Sequence, residues 1–450
     1  MNTWTWPTGR CSTPRRSSAR LNPLRQHHDL GNTVSWQPLE AHLDGLHRQN
    51  RERTLRDWTP GLRPGTVQVG GRTLLDLASN DYLGLARQVW TPERAAALLD
   101  GHLGAAEGGA ADTAAVLSAM TRFGAGASRL ITGNDPVYGV LERSVARLKG
   151  QQAALVFGSG VAANMGTIPA LVGPGDAVFS DALNHASIID GIRLSRARCH
   201  VYPHRDLDTL DAQLRASPAP RKLIVTDALF SMDGTFAPLA ELAALKRKYG
   251  AWLMVDEAHS GGVYGDLGAG LAQAAGVSGQ IDVSMGTFGK AYGSVGAYIA
   301  GDAVLIRYLL NTARTLTFTT GLPPSSLAVS VLNLLLSQQM DSERAALQAN
   351  AAAFRDVLTS SGADTADSES QIVPLLTHDD VSALSHAASL QASGFGAVAI
   401  RPPTVPAGTA RIRFALSAAH SWPDLQACLD AVAALNSGQF SQKFPLAGKR

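Results

Sequence analysis

The sequence predicts an α/β protein with a mostly parallel central sheet covered by helices and a smaller α+β domain towards the C-terminal end. Seven short, nearly continuous apolar runs carry that expectation: "AALVFG", "DAVFSD", "CHVYP", "RKLIVTDAL", "AWLMVDEA", "VSMGTF" and "SVGAYIAG". Most are separated by helical stretches such as "PLAELAALKRKYG". Strands of this kind are expected where helices cover both faces of a sheet. The polar residues able to do chemistry fall at the ends of these runs, where open α/β sheets bind ligands. Composition agrees. Of 450 residues, 45% are apolar and 17% charged, the balance of a packed soluble enzyme, and a net charge of +2 gives no reason to expect nucleic acid or a membrane as partner. Cys11, Cys199 and Cys428 are too widely spaced for a disulfide framework or a metal cluster. No metal is expected, and a reducing cytoplasm fits.

Taken in order, residues 1–34 hold five arginines, one acid and several Pro and Ser without apolar periodicity. They read as a disordered extension, with a targeting peptide as the weaker alternative. Residues 35–91 form an N-terminal arm. Leu39, Leu43, Leu46 and Leu55 mark an amphipathic helix, and "TVQVGGRTLLD" reads as a hairpin turning at Gly70-Gly71. Residues 92–324 make the large domain, beginning with a helix, a loose loop and a second helix over 92–118. Residues 325–437 make the C-terminal α+β domain, from a long helical segment through "IVPLLT", "GAVAIRPPTVP" and "ARIRFALSA" to the helix "SWPDLQACLDAVAAL", and 438–450 are a tail.

Only seven lysines occur in the chain, and Lys290 stands between glycines in "SMGTFGKAYGSVG". An amine so placed is suited to a Schiff base with a phosphorylated aldehyde, which makes pyridoxal 5'-phosphate (PLP) the expected cofactor. Ser159, Gly160 and Val161 lie at a strand-to-helix junction, where free N–H groups and the helix dipole favour a phosphate; a plain glycine turn is the competing reading. His185, just before a helix, could stack on a pyridine ring, or could simply cap that helix. Asp256, at the end of a buried strand, is placed to pair with a ring nitrogen, and His259 and Ser231 to reach the phenolic oxygen. "DEAH" at 256–259 also invites a nucleotide-hydrolase reading. That reading needs a Gly-x4-Gly-Lys-Ser/Thr loop, which neither Gly289-Lys290-Ala291 nor Gly448-Lys449-Arg450 supplies.

In these runs, and in "SNDYLGLA", "GAGASRLITG", "NHASIIDG", "TFTTGLPP" and "AIRPPTVPAGTARIRFALSAAH", the chain resembles the α-oxoamine synthases of the fold-type I PLP-dependent transferases, whose fold is aspartate aminotransferase-like. The resemblance covers Ser35 to Ser437. It implies Lys290 as the Schiff-base residue and general base, Thr287 and a partner subunit's copy of Thr320 at the phosphate, Asn80 and Arg413 at the amino-acid carboxylate, and Arg56 and Arg401 on the acyl side. It implies a homodimer with shared active sites. The reaction it implies is a decarboxylating condensation of L-alanine with a pimeloyl thioester, carried on coenzyme A or acyl carrier protein, in biotin biosynthesis. The alternatives are a glycine-using relative such as 2-amino-3-oxobutyrate coenzyme A ligase, or an alanine-using enzyme with another acyl donor. Arg411 and Arg413 share a strand face, and a buried arginine there needs an anionic partner. A non-catalytic PLP-binding protein is disfavoured because Lys290, Asp256, His185 and Arg413 are all present. The chain departs from the family pattern at Tyr138, Asp227 and Val161, where His, Glu and an aromatic are usual.

Overall fold

The structure, a computed structural model, describes residues 35–103 and 109–436. The expected extension 1–34 and tail 438–450 lie outside the described residues. The chain divides into a segment ending at Glu52 and a unit from Arg53 onward. In the first, the amphipathic pattern forms the helix Gln37–Arg48, with Leu39 and Leu43 exposed. It stops short of Leu55 because Gln49 closes the last turn onto Gly45 and Asn50 takes the left-handed conformation at φ 55°.

The second unit opens with β1 (Thr59–Pro60), β2 (Thr66–Val69) and β3 (Arg72–Asp76). Gly70 and Gly71, at φ 56° and 79°, make the two-residue turn whose twist matches a β2–β3 hairpin. All seven apolar runs become strands of one sheet: β4 (Ala153–Phe157), β5 (Ala177–Asp181), β6 (Arg198–Tyr202), β7 (Lys222–Asp227), β8 (Trp252–Asp256), β9 (Val283–Thr287) and β10 (Ala297–Gly301). Their order is β4-β10-β9-β8-β7-β5-β6, with β10 antiparallel to both neighbours and β9 to β6 parallel. The two-residue period of a strand divides its side chains between two cores. Leu223, Val225 and Met254 pack with Ile168 and Ile188 on one face, whereas Ile224, Leu253 and Val255 pack with Leu210 and Leu242 on the other. Near-continuous apolar sequence is the consequence.

Helices Pro324–Ser337 and Asp341–Ser360 lead into β11 (Ile372–His378), β12 (Phe395–Gly396), β13 (Ala399–Ile400) and β14 (Ala410–Ala415). β11, β14 and β13 form an antiparallel sheet, while β12 pairs parallel with β3. Leu75, Leu77, Tyr82 and Leu83, which follow or end the hairpin, therefore share one core with Leu347, Phe354 and Phe414. Phe354 and Phe414 meet edge to face at 5.4 Å. Phe414→Ala is expected to cost about 3–5 kcal/mol, read as a lower denaturant midpoint. A loss under about 1 kcal/mol would show that this core does not hold β14 in place.

Among the described residues no helix is long and apolar enough to cross a membrane, and no group of three or more His, Cys, Asp or Glu is placed to hold a metal.

Candidate active site

The carboxyl ends of β4, β7, β8 and β9 converge on a cavity of about 310 Å³ lined by Ser159, Gly160, Val161, Asn164, His185, Asp227, Asp256, His259, Thr287 and Lys290, among others. Lys290 follows β9 in a tight turn: Gly293 donates its N–H to the Lys290 carbonyl at 2.9 Å, and Ser294 to that of Phe288 at 2.8 Å. Gly293 sits at φ 56°, and a Cβ there would lie 2.2 Å from the backbone nitrogen of Ala86, so the turn admits only glycine. The Lys290 amine makes no hydrogen bond among the described residues. Burial, aided by Arg413, holds it below the ordinary lysine value, against the pull of Asp256 and Asp227.

Lys149, more deeply buried than Lys290, has a different fate. Lys149 pairs with Glu257, which also accepts from the Ala272 N–H at 3.0 Å and the Ser284 hydroxyl at 3.2 Å. Glu257 of "DEAH" is thereby committed to the fold. Lys149→Ala, which strands that carboxylate, is expected to cost about 3–5 kcal/mol. Unfolding midpoints test this, and a neutral outcome would contradict the pairing.

Asp256 ends β8 with both oxygens held: Oδ1 accepts the Ala258 N–H at 2.9 Å and Oδ2 accepts from Asn164 Nδ2 at 2.9 Å. Asn164 lies one turn into the helix Gly160–Leu171 and also donates to the Ser187 hydroxyl at 2.9 Å. His185 caps the helix Ala186–Ser195 through Nδ1 and is also among the residues lining the cavity. Its backbone N–H donates to Asp227 at 2.7 Å. Burial and the nearby Asp256 push the Asp227 carboxyl well above its usual value.

A second cluster comes from the C-terminal core and reaches the cavity through His259. β14 turns Arg411 and Arg413 the same way, towards 231–233: Arg411 meets Asp233 at 2.7 Å and Arg413 Nε donates to the Ser231 carbonyl at 2.5 Å. Arg413 Nη2 donates to Asn80 Oδ1 at 3.0 Å and lies 3.4 Å from the Tyr82 hydroxyl, which in turn is 2.7 Å from His259 Nδ1. The loop carrying Asn80 and Tyr82 is pinned by the Ala418 N–H on the Tyr82 carbonyl and the Ser417 hydroxyl on that of Asp81. His420 Nδ1 holds Ser417 by its N–H at 3.1 Å.

Asn80 and Arg413 lie outside this cavity's lining, and so do the remaining expected residues. Ser231 contributes its carbonyl to Arg413. Thr320 is bridged to Ser128, Arg56 is exposed and donates to Gln391 at 3.3 Å, and Arg401 precedes the cis Pro402–Pro403 bond. Tyr138, also outside the lining, accepts the Leu322 N–H at 2.7 Å.

Residues 72–432 match the family described as aminotransferase class I and II. The putative 8-amino-7-oxononanoate synthase of Geobacillus kaustophilus is 48% identical over 372 residues, covering 82% of this chain and 90% of that protein. The 8-amino-7-oxononanoate synthase of Anaeromyxobacter sp. (strain K) is 47% identical over 88% of this chain and 94% of its own. The chain belongs to the α-oxoamine synthase family. Among solved structures, the serine palmitoyltransferase of Sphingomonas wittichii superposes with a TM-score of 0.78 at 28% identity, over 91% of this chain and 98% of that one. An 8-amino-7-oxononanoate synthase from Francisella tularensis gives 0.64 at 26% identity, over 82% and 99%.

The cavity of this α-oxoamine synthase fits PLP on two observations. The Thr287 hydroxyl is buried without a hydrogen-bond partner, beside the N-terminus of the helix Gly160–Leu171. A Cβ at Gly160 would come within 2.9 Å of the Thr287 methyl, so only glycine leaves the helix end open to a phosphate there. Tyr82, Asn164 and Ser187 were not singled out from the sequence. For Asn164 a signal existed, since it stands four residues after Gly160 and so on the same helix face.

His420 gives a test of the pinned loop. Burial lowers its imidazole to about 4, whereas the unfolded chain titrates near 6.5. The folded state therefore refuses a proton that the unfolded state takes up as pH falls through about 6.5. The stability advantage of wild type over His420→Gln should shrink below that pH by about 1.4 kcal/mol per unit. Urea midpoints of both proteins at several pH values between about 7.5 and 5 check it, and an advantage that is constant or grows on acidification would contradict it.

Proposed function

We propose that this α-oxoamine synthase condenses L-alanine with a pimeloyl thioester, with loss of carbon dioxide, to form 8-amino-7-oxononanoate for biotin biosynthesis. The observation that carries the reading is one cavity enclosing the unpaired Lys290 amine with Asp256, His185 and His259, beside Arg413. The names of the relatives at 47–48% identity point to the same reaction. When bound, PLP supplies an electron sink that makes the Cα–H and Cα–carboxylate bonds of an amino acid breakable.

The chain's own residues do the rest. Thr287 and the N–H groups at Gly160 and Val161, next to the N-cap Ser159, would hold the phosphate, and His185 would support the ring. Asp256, fixed by Asn164 and Ala258, would keep the ring nitrogen protonated through a charge-assisted bond. His259, which lines the cavity, and Ser231, just outside its lining, would reach the phenolic oxygen. Arg413 has Nη1 free of hydrogen bonds among the described residues and, with Asn80, grips the alanine carboxylate. Lys290, its amine weakened as a cation by burial, anchors the cofactor and then takes the Cα proton. Cα bonds to the thioester carbonyl carbon, the thiolate leaves, the alanine carboxylate departs as carbon dioxide, and a proton returns to Cα.

A homodimer belongs to the same reading. Phe123, Ile131 and Phe318 are 79%, 74% and 72% exposed, and their segments are joined by the Gly321 N–H on the Ala127 carbonyl. Exposed apolar side chains on linked segments fit an interface between copies of the chain. It would bring the partner subunit's Thr320 to the phosphate. Arg56 and Arg401 are proposed to meet the acyl carrier, either coenzyme A or acyl carrier protein, and the enzyme to work in the cytoplasm.

The test is a panel of amino acids against acyl thioesters, read as released thiol. Alanine with a pimeloyl thioester should lead in kcat/KM. Glycine with acetyl-coenzyme A leading instead would replace the proposed reaction by that of a sister enzyme.

A further inference from the structure

We propose that Tyr82 is a positioning residue that decides which nitrogen of His259 carries the proton, and so couples the carboxylate clamp to the cofactor's phenolic oxygen. The inference rests on the functional reading above.

Tyr82 is fully buried, and its single hydroxyl proton has two acceptors within reach: His259 Nδ1 at 2.7 Å and Asn80 Oδ1 at 3.0 Å. Burial, with Lys290, Arg413 and His185 nearby, keeps the His259 imidazole neutral, so one of its nitrogens has a proton and the other does not. If Tyr82 donates to Asn80, His259 must donate from Nδ1 and present a bare Nε2 to the cavity. If Tyr82 donates to His259, Nε2 carries the proton and points an N–H donor inward.

Two features select the second arrangement. The contact to His259 is the shorter, and Asn80 Oδ1 already accepts from Arg413 Nη2 at 3.0 Å. Arg413 Nη2 also approaches the Tyr82 oxygen at 3.4 Å, which favours the hydroxyl turning its own proton away, towards His259. His259 Nε2 makes no hydrogen bond among the described residues and lines the cavity, where a phenolate oxygen needs a donor. Tyr82 thus touches the clamp on one side and the cofactor's histidine on the other.

The test uses the full chain labelled with 15N-histidine and free of cofactor. Long-range proton–nitrogen spectra separate the two tautomers, and His259→Asn identifies the signal among the twelve histidines. Wild type should show His259 protonated at Nε2, and Tyr82→Phe should lose that preference. Loaded with PLP, Tyr82→Phe should shift the pH titration of cofactor absorbance. It should also raise the KM for L-alanine about tenfold, with a smaller change in kcat, the loss of roughly one hydrogen bond. Wild type protonated at Nδ1 overturns the proposal without any variant, and so does an unchanged tautomer in Tyr82→Phe. Absence of thiol release by wild type with every thioester would instead overturn the functional reading, leaving the tautomer result to stand alone.

Discussion

Lys290→Ala is expected to abolish borohydride-stable attachment of PLP and to lower kcat at least about 10³-fold, because in the proposed reaction one amine serves both as anchor and as base for the Cα proton. The fold should survive. The Lys290 side chain makes no hydrogen bond among the described residues, and the turn that carries it is held by the backbone of Phe288, Gly293 and Ser294. Removing a buried ammonium held below its ordinary value relieves a cost rather than a support, so the cofactor-free variant should be no less stable than wild type at neutral pH. A borohydride-reducible adduct that persists in the variant would mean that another lysine anchors the cofactor. The buried Lys149 is already committed to Glu257.

Asp256→Asn is expected to lower kcat about 10²–10³-fold while PLP stays bound more weakly, since the ring nitrogen loses the charge that keeps it protonated. The neighbourhood can absorb the new amide. Asn164 Oδ1 is buried without a partner, so the Asn164 amide can turn over and accept from an asparagine at 256 as readily as it now donates to the aspartate. The unfolding midpoint of the cofactor-free variant should therefore stay close to that of wild type, which assigns the loss to chemistry. Turnover within a few-fold of wild type would remove Asp256 from its role.

The sheet was legible because its strands are buried on both faces, which writes each as an apolar run, and because a strand's alternation is local. Lys290, the proposed anchor, was legible for a similar reason: a rare lysine in a glycine turn is a short-range feature. What escaped was long-range. Tyr82 acquires its role only when β12 pairs with β3 and the Asn80 loop meets Arg413, more than 300 residues away. Two-residue strands such as β12 carry no periodicity to read. The Lys149–Glu257 pair joins a helix end to a strand end 108 residues apart, and nothing in either local sequence announces it. Leu55 continued the helical spacing, but spacing is silent about Asn50 turning left-handed first. Thr320 is bridged to Ser128 outside the cavity of the single chain, a placement no local motif announces.

Carbon dioxide release from carboxyl-labelled L-alanine tests the central claim most directly. With pimeloyl-coenzyme A and PLP-loaded enzyme, the account predicts one labelled carbon dioxide and one free thiol per turnover, and an unlabelled product of the mass of 8-amino-7-oxononanoate. Label kept in the product, or alanine consumed without thiol release, would contradict a decarboxylating condensation.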